Sequence, residues 1–106
     1  MTQKNRWRQT ILWLHRNFKP VVPVHVRCRK LITVQGVTWK YDGIGCITIV
    51  INDGPCWCCK IDSLIHEWAH AITWFGSERD QEHPAEWGIA YAKIYSLFLE
   101  WNYGNG

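Results

Sequence analysis

The sequence predicts one α+β domain: an N-terminal helix, a three-stranded, mainly antiparallel sheet, then two further helices. Three observations carry that expectation. Apolar residues recur at helical spacing in three segments, three shorter segments between residues 22 and 51 read as strands instead, with Arg29 to Gln35 either loop or strand extension, and turn residues stand at the junctions. A length of 106 residues fits one domain spanning 1–106. Such a chain buries roughly two-thirds of its unfolded surface, enough for one core. A composition 47% hydrophobic and 20% charged excludes intrinsic disorder. No apolar run approaches the roughly 18 residues a membrane-spanning helix needs, and the N-terminus does not read as a secretory signal.

In chain order, Trp7, Ile11, Leu14 and Phe18 form the apolar stripe of the first helix, which Lys19-Pro20 ends because a residue before proline avoids the α region. Strands are expected over Val22–Cys28, Gly36–Tyr41 and Ile44–Ile51, with Asp42-Gly43 as a two-residue hairpin turn between the last two. Asn52-Asp53-Gly54-Pro55 stops the sheet and starts a helix. Trp57, Ile61, Leu64, Ile65, Trp68, Ile72 and Phe75 keep a 3.6-residue period along it, and Gly76 closes it. After a polar loop, Pro84 opens a last helix with Trp87, Ala90, Tyr91, Ile94, Phe98 and Trp101 inward, ending before Tyr103.

Charge is unevenly distributed. Residues 1–40 contain nine basic side chains and no acidic one, whereas residues 41–106 contain three basic and nine acidic. Arg6, Arg8, Arg16 and Lys19 lie off the first helix's apolar stripe, and Arg27, Arg29 and Lys30 follow in the first strand and loop. Such a basic half suits nucleic acid or another acidic partner; it equally suits a solvated face on a domain with eight tryptophans.

The chemistry concentrates in His66-Glu67-Trp68-Ala69-His70, an H-E-x-x-H within the most periodic helix. Residues four apart stand above one another, so both imidazoles can reach one metal ion, and neutral imidazole is a standard zinc ligand. Glu67 is rotated by one residue and can reach a water at the metal's open position without ligating the metal. A catalytic zinc usually takes a third protein ligand. Downstream candidates are Glu78, Asp80, Glu82, His83 and Glu86; a histidine six residues beyond His70 is excluded because Gly76 stands there. Glu86 on the next helix is possible, while His83, just ahead of Pro84, is the softer and more typical donor. An oxyanion formed during hydrolysis needs a further donor, for which Tyr91 and Tyr95 are candidates beside their simpler role as core residues.

His66-Glu-Trp-Ala-His-Ala71, a loop, and then His83-Pro-Ala-Glu-Trp87 resemble the core of the SprT/Spartan group of zinc metallopeptidases. There H-E-x-x-H-A is followed by H-G-P-E-F or a close variant whose histidine is the third ligand. Trp87 to Ala92 resembles small SprT-like proteins of bacteriophages more closely still. The resemblance covers about residues 44–95, departs from the group at Pro84, and is expected to lack the C-terminal zinc ribbon of several relatives. It implies a zincin-like minidomain with one Zn2+ per chain on His66, His70 and His83, and Glu67 as general base in peptide-bond hydrolysis. Glu86 or Asp80 would orient a ligand imidazole. It also implies a protein or peptide substrate and, joined to the basic half, DNA as a partner; no membrane is expected, and five cysteines without a secretory signal point to a cytoplasmic site of action, the host cytoplasm for a phage protein.

Two other classes stay open. One is a zinc-stabilised DNA-binding or virion-associated module with little or no proteolysis, which would not need Glu67. The other is a cysteine–zinc interaction module built on Cys28, Cys46, Cys56, Cys58 and Cys59. Cys59 lies about 10 Å along the helix from His66, too far to join the main site, and the spacing is not that of a four-cysteine zinc site. The five cysteines are therefore expected as buried, reduced thiols.

Overall fold

The computed structural model describes residues 3–31, 34–41, 45–54, 56–74 and 83–104. Helix α1 (Gln3–Asn17) precedes strands β1 (Val24–Arg29), β2 (Gly36–Tyr41) and β3 (Cys46–Asn52), which are followed by helices α2 (Trp57–Ile72) and α3 (Ala85–Gly104). The α+β class stands, but the sheet is not mainly antiparallel. Its order is β1-β3-β2, with β1 parallel to β3 from Val24↔Ile47 to Arg29↔Asn52 and β2 antiparallel to β3. The reason lies in β3. From Cys46 to Ile51 every residue is buried, the signature of a central strand covered on both faces, so β1 and β2 take its two edges. His25, Arg27 and Arg29 are exposed on β1, as suits an edge strand.

The chain therefore passes over β3 between β1 and β2, and Asn52 fastens that crossing. Its Oδ1 accepts from the Leu31 N–H at 3.1 Å and the Gly54 N–H at 3.3 Å, and its Nδ2 donates to Gln35 Oε1 at 3.2 Å. The hairpin also departs from expectation. Tyr41 pairs with Cys46, which leaves four residues between the strands instead of two. Asp42, Gly43 and Ile44 lie outside the described residues, and Gly45 has φ 67°, a conformation other residues rarely adopt.

Helix α2 is the centre of the packing, touching β2 and β3 as well as α1 and α3. Ile61, Leu64, Ile65 and Trp68 meet Ile47, Ile49 and Ile51 of β3, Leu14 of α1, and Ile94 and Phe98 of α3 in one core. The periodic stripe understates its burial, because every residue from Glu67 to Ala71 is buried. Ala69 and Ala71 carry little beyond Cβ, so neighbouring elements can close round the helix there. Cys56 stands at the N-cap and Thr73 at the C-cap; Pro55, Phe75 and Gly76 lie outside the described residues. Helix α3 runs through Tyr103 to Gly104, past its expected end.

The tryptophans tie the helices together. Trp13 stacks on Trp101 at 5.3 Å and meets Phe98 edge-on, which joins α1 to α3. Arg6 lies over Trp101 and donates to Asn102, so this one of the basic side chains is committed to the same joint. No helix among the described residues is long and apolar enough to cross a membrane.

Trp68 is wholly buried, and its indole N–H donates to the Phe18 carbonyl at 2.9 Å, which staples the end of α1 to α2. Trp68→Ala is expected to cost about 3–5 kcal/mol. Trp68→Phe is expected to cost about 1–3 kcal/mol, because the carbonyl loses its donor. Urea unfolding midpoints of the two variants against the parent measure both.

Candidate metal centre

His66 and His70 lie one turn apart on α2, and His83 reaches them from the residue preceding Pro84 at the start of α3. The ligand atoms of the three imidazoles all fall within 4.8 Å of one another, and this is the only such group of three or more His, Cys, Asp or Glu side chains among the described residues. His83 Nε2 is 3.2 Å from His66 Nε2. Two nitrogens on a tetrahedral zinc, each about 2.0–2.1 Å from it, stand about 3.3–3.4 Å apart, so this pair is already spaced as metal ligands are. The donor set fits zinc chemically as well. Burial, then the neighbouring His83, lowers the pKa of His66, and neutral imidazole is the form that ligates.

Glu67 points into the same space. One carboxylate oxygen, Oε2, is 3.6 Å from His66 Nε2, while the other, Oε1, accepts a hydrogen bond from the Thr38 hydroxyl at 2.7 Å. The residue is only 6% exposed. Burial raises its pKa, and the Thr38 hydrogen bond opposes that rise. Glu67 can sit there because β2 has no side chain at Gly36. A Cβ at that position would stand 3.1 Å from Glu67 Cγ and 3.2 Å from Ile51 Cδ1. Beside the carboxylate opens a cleft of about 350 Å³, walled by Val34, Gln35 and Gly36 on one side and by Asp62, Ser63, His66 and Glu67 on the other.

Trp87 touches all three histidines, with ring centroids 4.8 Å from His66, 5.4 Å from His70 and 4.5 Å from His83. Its indole N–H donates to the His66 carbonyl at 3.2 Å. Tyr91 stacks on Trp87 at 5.1 Å, lies 6.0 Å from the His66 ring, and donates its hydroxyl to Asp62 Oδ1. Burial, with Asp62 second, pushes the Tyr91 phenol pKa well above its usual range, so it stays protonated. Tyr95 lies one turn further on, against Tyr91 and Phe98. Glu86 is exposed in the first turn of α3 and does not belong to the histidine group. Asp80, with Glu78 and Glu82, lies outside the described residues.

The remaining sequence candidates lie elsewhere. Arg8, Arg16, Lys19, Arg27, Arg29 and Lys30 are exposed, and Arg6 is half-buried against α3. Of the cysteines only Cys46 is buried, which corrects the expectation of a buried cluster: Cys56, Cys58 and Cys59 open α2 in solvent, and Cys28 is exposed on an edge strand. Sequence reasoning missed the support of the site. Gly36, Thr38 and Asp62 carry no motif, and Trp87 read as core packing until its contacts with three imidazoles were visible.

No protein-family model and no curated protein matches the sequence. The site is thus defined by its own geometry.

The support from β2 can be measured. Thr38→Val should destabilise by about 1.5–3 kcal/mol, since the buried carboxylate loses its partner, and Thr38→Ser should restore most of the loss. Gly36→Ala should cost about 1–3 kcal/mol through the contact with Glu67 and Ile51. Chemical denaturation with unchanged m-values reads each.

Proposed function

We propose that this chain is a zinc-dependent metallopeptidase resembling the SprT/Spartan group, acting on a protein or peptide substrate. The observation that carries the reading is the convergence of His66, His70 and His83 beside a buried, hydrogen-bonded Glu67. A purely structural metal site would have no use for a carboxylate held next to its ligands at the desolvation cost that burial imposes. Zinc held by the three imidazoles would supply Lewis acidity, polarising a peptide carbonyl and easing deprotonation of a water at its open position.

The chain's own residues account for the rest. Glu67 accepts a proton at Oε2, the oxygen facing His66, and then returns it to the leaving amine. Thr38 holds Oε1, so the carboxylate is fixed in orientation and its second oxygen is left to the proton. The raised affinity of buried Glu67 for a proton suits a base that must keep it between the two transfers. Trp87 holds His66 by its carbonyl and shields the imidazoles with its ring. Tyr91 lies close enough to His66 to donate to an oxyanion once its hydroxyl leaves Asp62. The cleft borders β2, an edge strand among the described elements, whose open side can pair with an extended peptide.

The purified chain should hold one zinc, and single alanine variants at His66, His70 or His83 should each lower metal content. Glu67→Gln should retain zinc and lose peptide hydrolysis by at least 100-fold, the scale of general base catalysis. Metal analysis and a quenched-peptide assay test this. Full zinc content in His83→Ala, or undiminished hydrolysis in Glu67→Gln, would overturn it.

We also propose nucleic acid as a partner, on the observation that six of the seven basic residues named above are exposed. Arg16 further borders a groove with Gln9, Leu12, Trp13 and Trp101, where a cation and aromatic rings stand together. Binding should weaken with salt, with a log–log slope of about −0.9 per phosphate contact on duplex DNA or about −0.7 on single strands. An anisotropy titration with Arg8, Arg16 and Lys19 changed to glutamine should show a shallower slope; no binding at micromolar protein refutes the proposal.

A further inference from the structure

The start of α2 carries a second reactive cluster, remote from the histidines. Cys56 is the N-cap residue, in extended conformation at φ −63°, ψ 166°, and Cys59 is the third residue of the helix. Their sulfurs lie 3.3 Å apart and both residues are exposed. Residues three apart on a helix are surface neighbours, and the extended N-cap turns the first of them back over the helix end. A disulfide needs sulfurs at about 2.05 Å, so closure requires a movement of only about 1 Å, within reach of side-chain rotation. Cys58, the residue before Cys59, is turned about 100° away round the helix.

From this geometry we propose that Cys56 and Cys59 form a redox-active dithiol, closing reversibly to a disulfide by exchange with small-molecule disulfides. The chemistry of the two thiols differs in the way exchange requires. Cys56 stands at the positive end of α2, where a thiolate is favoured, and the backbone of Cys59, followed by its side chain, lowers the Cys56 pKa. Cys59 moves the other way, its pKa raised mainly by the Cys56 sulfur beside it. Its place at the helix N-terminus makes Cys56 the attacking sulfur, and Cys59, inside the first turn, the resolving one. The Cys56 thiolate attacks one sulfur of the small disulfide, breaks its S–S bond and expels one thiolate. Cys59, after losing its proton to water, attacks Cys56 Sγ in the mixed disulfide and expels the second. The chain gives up two electrons and two protons, and the small disulfide becomes two thiols.

No histidine of the candidate metal centre takes part, so this proposal and the peptidase reading can fail separately. Reduced whole chain is incubated with excess oxidised glutathione, quenched in acid, alkylated and mapped by mass spectrometry. Cys56 and Cys59 are expected to lose alkylation together with the loss of two hydrogens, and dithiothreitol should restore both. Cys28 and Cys58 should carry at most glutathione. Cys58→Ser should behave as the parent, while Cys56→Ser and Cys59→Ser should stop at a mixed glutathione disulfide on the remaining partner. Iodoacetamide at neutral pH should label Cys56 before Cys58. Linkage of any other pair, or Cys56 and Cys59 still alkylated under oxidant that glutathionylates Cys58, would overturn the proposal.

Discussion

A carboxylate taken out of water must find a compensating partner, and the arrangement around Glu67 follows from that requirement. The side chain lies under β2, where Gly36 leaves the room and the Thr38 hydroxyl supplies the hydrogen bond. β2 must therefore be registered on β3 to within one residue, because a slip would exchange the face that carries Thr38 for its opposite. β3 in turn is the central strand, hydrogen-bonded along one edge to β1 and along the other to β2, and buried from Cys46 to Ile51. The helix that bears Glu67 cannot then present a single apolar stripe: it is enclosed by sheet and helices along the same turns that carry His66 and His70.

How much of this was legible in the sequence depends on the range of the interaction involved. The order of the elements follows from local periodicity and punctuation, and the i, i+4 histidine pair is fixed by helix geometry alone. His83 was readable because it stands beside Pro84, at a helix start. The strand order was not readable, since β1 and β2 differ little in local pattern and only competition for the centre of the sheet separates them. The hairpin register differed because Asp42-Gly43 favours a two-residue turn locally, while the pairing of Tyr41 with Cys46 is settled by the whole strand. Gly36 and Thr38 are silent for the same reason: 29 residues separate Thr38 from Glu67, and nothing near either announces the contact.

The aromatic residues show a similar division between composition and placement. Eight tryptophans in 106 residues promise a core, yet among the described side chains Trp68 is the one tryptophan that is wholly buried. Trp13 and Trp101 instead form a stacked joint between α1 and α3, with Arg6 over the outer ring, and Trp87 forms part of the histidine site. Tryptophan here works at seams between elements, where a large flat ring with one N–H can bridge what small apolar residues cannot.

The mixed sheet also orders events in time. Tyr41 and Cys46 are five residues apart, whereas each pair in the parallel ladder between β1 and β3 is separated by 23. Loop closure over the longer span costs about 1.4 kcal/mol more. The β2–β3 hairpin is thus the cheaper pairing to nucleate, and it already contains Gly36 and Thr38, the two positions that receive Glu67. Docking of α2 onto that hairpin can set the carboxylate in place before β1 is added. The basic edge strand then becomes a late-closing part of the fold, whose interactions bear on the rate of unfolding more than on the rate at which the site is built.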